Sequence, residues 1–369
     1  MLLRYLCLTL ALLTAIGASA APLSSARKQN LENIAYDTGQ PLAQRIKAVR
    51  ELVGVGDGYL QRTVCIWDLV GRNGPIFAAA RDQQAKMLAY GIKAKLVPYT
   101  DESIMVEALK AGQCDAALMS GMRARLFNTY TGTIDAIGAL PTNEHMRILL
   151  QVLADPRSAP KMVQGQYVIA GIAPAGAAYL FVDDKNINTL AKAAGKKVAV
   201  LAYDPVQAEM VAQIGATPVP TDFVSAPNMF NNGVVDVLAA PLAVYQIMEL
   251  YKGMTPNGGI IDYPLAQISL QLVARRDRLP NAAAQLVREA FYHSYDRFRA
   301  RIHQETKDVP AHWWVQIPGK DKLRYEEMMR QARITLRKKG YYSAAMLELE
   351  RRIRCKLDPS RAECTSAAE

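Results

Sequence analysis

The chain has 369 residues, 50% of them hydrophobic, and Lys and Arg outnumber Asp and Glu by 44 to 34. The surplus is uneven: from Gln271 onward 21 basic residues face 13 acidic ones, while residues 21–270 hold 22 against 21. No aromatic interleaving or nucleic-acid motif accompanies the basic third, so solvated helix faces with Arg and Lys at i, i+4 spacing are favoured over a surface for nucleic acid or anionic lipid.

Residues 1–20 carry one positive charge at Arg4, an apolar run from Tyr5 to Ile16, and Ala18-Ser19-Ala20 ahead of Ala21-Pro22. This is the pattern of a cleavable secretory signal, and the run is shorter than the ~20 residues that span a bilayer. Cys7 lies inside the run, not after it where an acylated cysteine would stand. The expectation is a periplasmic protein without stable membrane insertion.

Residues 21–59 form an N-terminal helical arm, polar at first and then helical from Pro41 to Val53, with Leu42, Ile46, Val49, Leu52 and Val53 on one face ahead of Gly54 and Gly56. The apolar run VCIWDL (64–69) opens a first lobe, followed by a helix (75–90), a strand ending Val97-Pro98, a helix (101–111) and the strand CDAALMS. After a helix at 143–154 and a Pro-bearing loop, QYVIAGIA and AYLFV read as strands crossing into a second lobe. That lobe repeats the order: KVAVLA (197–202), a helix (205–214), a strand ending Val219-Pro220, a helix (225–232) and VDVLAAP. Then GGIIDYPLAQISLQLVARRDRLP offers two short strands joined at Pro264, and a long helix runs from Ala282 to Glu305. HWWVQIPGK reads as a loop in which Trp313 and Trp314 anchor a C-terminal extension of two helices (320–339 and 341–356) split by Gly340.

Gly112 and Gly233 each stand three residues before an aspartate, Asp115 and Asp236, so the two halves repeat at one 121-residue offset. Two βαβαβ halves of one topology predict an α/β, bilobal, periplasmic-binding-protein-like fold, joined by hinge strands and carrying a helical C-terminal extension. The expected bounds are lobe 1 at 60–165, completed by about 260–285; lobe 2 at 166–255; a long helix spanning the lobes at 280–309; and the basic extension at 310–369. A chain that leaves, completes a second lobe and returns makes a hinged pair that can close on a ligand.

Four cysteines lie beyond the leader, and an oxidising compartment favours pairing them. Of three connectivities, Cys65 with Cys114 and Cys355 with Cys364 are expected, the first because both open neighbouring strands, the second because it closes a short loop through Asp358-Pro359. A metal site is not expected: the cysteine spacings are not those of zinc, and His145, His293, His303 and His312 do not pair with them. No cofactor is implied either. The chain has no Gly-x-Ser-x-Gly elbow, phosphate loop or HExxH, and the adjacent Asp183 and Asp184 diverge, so no catalytic residue is named and an enzyme is not expected.

Residues at strand ends are the candidates to line the cleft. In the first lobe these are Trp67, Asp68, Gly71 and Arg72, then Tyr99, then Ser120, Gly121 and Arg123; in the second they are Tyr203, Asp204, Ala239 and Pro241. Structural roles compete, since Asp204 ahead of Pro205 suits a helix cap, Asp68 a turn and Tyr203 a half-core position.

The segment GKKVAVLAYDPVQAEMVAQIGATPVPTDFVSAPNMFNNGVVDVLAAPL resembles the second lobe of the periplasmic solute-binding subunits of TRAP-type transporters, and with the first half the resemblance covers about residues 60–305. The VCIWDLVGRNGP start and the tail are similar to a family of solute-binding proteins sometimes described as parts of an RND-type efflux system linked to aminoglycoside resistance. The resemblance implies an arginine two residues after the lysine of the second-lobe strand, clamping a ligand carboxylate, yet these positions read Lys197, Val198, Ala199. The asparagine it implies before the proline is Ala240, and Ser158–Ala274 contains no arginine at all. A simple carboxylate held in the usual way is therefore disfavoured. Asp68, Asp204, Trp67 and Tyr203 favour a neutral or amine-bearing solute, whereas Arg72 and Arg123 could replace the clamp from across the cleft. The function expected is capture of a small solute for delivery to inner-membrane transporter subunits. The alternative is an accessory protein of an envelope efflux or other assembly, with a degenerate cleft and the extension doing the binding.

Overall fold

The computed structural model describes residues 23–365. The expected signal segment lies outside them. Among the described residues no helix is long and apolar enough to cross a membrane.

Eleven strands of the described residues form one sheet: β1 Leu60–Trp67, β2 Ile92–Tyr99, β3 Ala116–Ser120, β4 Val163–Gln164, β5 Tyr167–Val182, β6 Lys197–Leu201, β7 Thr217–Thr221, β8 Val237–Pro241, β9 Gly259–Ile261, β10 Ala266–Arg275 and β11 Trp314–Val315. The path across it is β2-β1-β3-β10-β5-β8-β6-β7. Each lobe is thus a parallel trio, β2-β1-β3 or β7-β6-β8, whose inner strand is covered by an antiparallel partner, β10 on β3 and β5 on β8. The two partners pair with each other and join the halves.

The 121-residue repeat extends to atoms. Asp115 accepts the Thr63 amide (2.8 Å) and donates its own amide to the Thr63 carbonyl; Asp236 does both with Lys197 (2.6 Å to the carboxylate). Each aspartate thereby pins its lobe's first strand, Asp115 within β1 and Asp236 at the start of β6. Gly112 and Gly233 end the preceding helices at φ +79° and +69°, a region where a side chain would be strained.

Helices Pro75–Met87, Glu102–Lys110, Pro205–Gln213 and Ser225–Asn231 fall where the repeat predicts them, within three residues at each end. The first lobe's core gathers Met105, Leu109, Met119 and Ile169, the second's Phe181, Phe230, Leu238 and Ile260. Each such side chain contributes about 1.5–3 kcal/mol by leaving water. Both expected disulfides form, Cys65–Cys114 and Cys355–Cys364.

Several expectations are corrected. QYVIAGIA and AYLFV are one 16-residue strand, β5. Pro174 is tolerated there beside a register irregularity opposite Gln267 and Ser269, where a missing amide costs no ladder bond. β5 pairs with both β10 and β8, so the boundary expected at 166 stands just ahead of a strand that serves both lobes. The long helix is two, Asn281–His293 and Tyr295–Thr306. At the break the Ser294 hydroxyl donates to the Ala290 carbonyl one turn back, a bond that bends helices. The arm holds a second helix, Ser25–Tyr36, beside the expected one at Leu42–Leu52, and both contribute to the core under the first lobe through Ala35, Ile46 and Val49. HWWVQIPGK includes β11, which pairs with β9, and Trp314 packs edge-on against Tyr179 at 5.3 Å.

The extension crosses both lobes. Its first helix, Gly319–Lys338, seats Tyr325 in a second-lobe cluster with Val182 and Val198, and its second, Ala344–Leu357, puts Met346 and Ile353 into the first-lobe core. Between them Leu336, Tyr342 and Leu347 enclose Val206 of the second lobe and Ala136 and Ala139 of the first. Not all its basic residues are solvated: Arg333 and Arg354 are buried and reach the carboxylate of Glu363.

Candidate functional site

The carboxyl ends of both trios meet at the lobe boundary. Trp67, the last residue of β1, is buried and meets Phe223 of the second lobe edge-on at 5.3 Å. Asp68 follows it and is consumed locally: its carboxylate accepts the amides of Val70 and Phe77, both at 2.9 Å, and tethers the start of helix Pro75–Met87. A Cβ at Gly74 would lie 1.8 Å from that carboxylate, so glycine there is a condition of the tether. Arg72 is exposed, over the edge of Phe77, and half-buried Tyr99 lends its carbonyl to the Asp68 amide.

Ser120 caps the short helix Gly121–Ala124 and gives its amide to Glu102 (2.6 Å). Asp204 likewise caps Pro205–Gln213, accepting from Val206 and Gln207. Arg123 crosses the boundary, its guanidinium 3.6 Å from the centre of the Tyr203 ring and its Nε 3.7 Å from Glu102. The Tyr203 hydroxyl is buried and, among the described residues, bonds to nothing.

Two carboxyl groups missed in the sequence lie behind these residues. Burial pushes Glu102 up to about 7 against the Ser120 bonds and Arg123, and pushes Asp135 up to about 7 against its bonds from Ser269. Asp135 belongs to a polar cluster in which the Ser269 hydroxyl donates to it and Gln271 donates to Ser269 and to the Thr131 carbonyl. One signal was available, the alternation Gln267, Ser269, Gln271 in a strand that should be apolar on both faces. In the window between the unfolded carboxyl range near 4 and about 7, the folded protein retains both protons and the unfolded chain does not. Stability should therefore fall as pH rises through that window. Glu102→Gln should remove a part on the order of 2 kcal/mol, read from urea midpoints at about pH 5 and about pH 8.

The other face of the same strands is open. A cavity of about 460 Å³ runs along it, and Trp67, Asp68, Ser120, Asp204 and Pro241 contribute to its wall. Arg72, Tyr99, Arg123 and Tyr203 stand outside that wall. Ile268, Leu270 and Leu272 of β10 form its floor, with helix Pro75–Met87 on one side and Pro205–Gln213 on the other. The position of the arginine implied by resemblance is filled by Ala199, which is buried, as is Ala240.

A family model described as Solute-binding protein AdeT 1/2 matches residues 77–369. The chain is similar to "Probable solute-binding protein AdeT1" of Acinetobacter baumannii, 40% identical over 299 residues that cover 81% of this chain and 98% of the relative. It is 30% identical to "Probable solute-binding protein AdeT2" of the same organism over 233 residues, 63% and 98% of the two chains. Among solved structures, the fold is similar to a TRAP periplasmic solute-binding protein from Desulfovibrio salexigens with bound orotic acid: TM-score 0.68, 16% identity, covering 81% of this chain and 99% of that one. A second such protein, from Bradyrhizobium with bound galacturonate, has TM-score 0.63 and 20% identity, over 79% and 99%.

Proposed function

The chain belongs to the AdeT 1/2 family of solute-binding proteins, and on that premise we propose that it is a periplasmic protein that takes up one small solute between its lobes and hands it to inner-membrane transporter subunits. The observation that carries this is the cavity of about 460 Å³, which draws its wall from both repeated halves and from the two strands that join them. A site shared in this way is completed by closure of the lobes. Trp67 and Pro241 are proposed to touch the solute, with Arg123 and Tyr203 closing over it. Asp68, Ser120 and Asp204 shape the wall through the backbone they cap. Arg72 and Tyr99 lie at the rim.

The related folds that hold orotic acid or galacturonate carry acidic ligands. Here Ala199 offers no cation, so the solute is proposed not to be a simple carboxylate. No chemical step is assigned to the site. The rival role, an accessory of an envelope assembly acting through a basic extension, is less favoured because Arg333 and Arg354 turn inward to Glu363.

The direct test is native mass spectrometry of protein recovered from the periplasm, with small-angle scattering before and after removal of whatever is bound. One bound compound and a smaller radius in its presence are expected. An unchanged radius with a compound bound would refute closure.

A further inference from the structure

We infer that the solute is an uncharged, mainly apolar small molecule, seated against the even-numbered face of β10. This rests on the solute-binding reading above and specifies its ligand. A cavity of about 460 Å³ lies within the roughly 300–1,000 Å³ usual for small-molecule sites. Its surface is apolar at positions where a packed protein would bury it. Leu270 and Leu272 in the middle of β10, and Ile76 and Ala80 on the facing helix, are only half-buried; Ala239 in the middle of β8 is exposed. These side chains line the cavity. An apolar ligand covering them would remove water from both surfaces at once.

The charged groups on the wall are already engaged. Asp68 and Asp204 hold backbone amides, Asp115 holds the Thr63 amide and Arg278, and Asp135 holds Ser269 through one oxygen while burial favours its neutral form. Arg301 is bound to Asp82 and the Pro75 carbonyl, Arg62 to the carbonyls of Gln61 and Arg278. Arg125 donates to the Gly132 carbonyl and lies over Tyr341 at 4.2 Å. Among the described residues Arg301 is the wall cation with a carboxylate partner, so a carboxylate would have to compete for Arg62 or Arg125 with their carbonyl and ring contacts, and an ammonium would have to displace the amides or Arg278 from Asp68, Asp204 or Asp115, a cost that an uncharged solute avoids. Ser269 and Gln271 of β10 do not line the cavity; they bond within the Asp135 cluster.

The test titrates the leaderless protein with N-phenyl-1-naphthylamine, a neutral apolar fluorophore, alongside galacturonate and spermidine as anionic and cationic probes in thermal shift. Saturable one-to-one fluorophore binding is expected, insensitive to salt, and weakened at least tenfold by Ala239→Phe and by Ala80→Leu. Both variants fill space and remove no side-chain hydrogen bond; urea unfolding confirms that they fold. Fluorophore binding that survives both substitutions would place it elsewhere and overturn the inference. Stabilisation by galacturonate or spermidine without fluorophore binding would also overturn it, leaving solute binding intact. Failure of all three probes, together with no compound bound in protein from the periplasm, would remove the solute-binding reading and the inference with it.

Discussion

Glu363→Gln is expected to unfasten the C-terminal extension and to lower the free energy of unfolding by about 3 kcal/mol. Glu363 is buried, and its carboxylate receives Arg354 (2.5 Å), Arg361 (3.0 Å) and Arg333 (3.4 Å). Burial alone would push this carboxyl up, but Arg354, Arg333 and Arg361 outweigh it and hold the group below its ordinary range. Glutamine keeps the shape and removes the charge, so Arg333 and Arg354, with 2% and 0% side-chain exposure, lose one anion that offsets their desolvation. A carboxyl held low stabilises above its unfolded value and ceases to do so as pH falls through the folded one, so the difference between wild type and variant should shrink in acid. Urea midpoints across pH would measure both effects. A loss below about 0.5 kcal/mol at neutral pH would mean that the cluster contributes no more than a surface pair.

The second large effect is predicted for Cys65→Ala combined with Cys114→Ala, at about 4 kcal/mol. The disulfide closes a loop over a sequence separation of 49, against 9 for Cys355–Cys364. Loop-closure entropy grows with length, so the paired alanine variant at 65 and 114 should lose more than the one at 355 and 364, for which about 2.5 kcal/mol is expected. Thermal unfolding of the two double variants gives the order directly, and a reversal would show that native-state contacts around Cys364, not chain entropy, dominate.

The α/β halves were legible because each is written in short-range signals: a β-rich run, a helix, a glycine at positive φ, an aspartate three residues on. The identical bonds of Asp115 and Asp236 explain why that spacing recurs. Long-range facts were less legible. Pro174 and Gly176 look like the end of a strand, yet β5 continues because β10 pairs with it on both sides of this stretch and β8 joins from Ala178. Ser25–Tyr36 carries little amphipathic pattern and is held by packing of Leu31 and Ala35. In the site, Asp68 and Asp204 stand out in the sequence as acids at strand ends, yet the neighbouring Val70, Phe77, Val206 and Gln207 amides absorb them. Glu102 and Asp135 carry no such mark in the sequence, since one opens a helix and the other sits in a loop, and only the fold buries them.

The interleaved sheet also fixes an order of events for a chain delivered amino end first. β3 lies early in the sequence, but its antiparallel neighbour begins only at Ala266, after the whole second lobe. Until that stretch arrives, the inner edge of β3 is bare, an invitation to pair with another nascent chain. Cys65 and Cys114 are both available long before, and the bond between them ties β1 to the approach of β3 in a fragment that has no other way to finish its sheet. That link secures β3 on its β1 side alone, so the edge toward β10 is closed only when Ala266–Arg275 arrives.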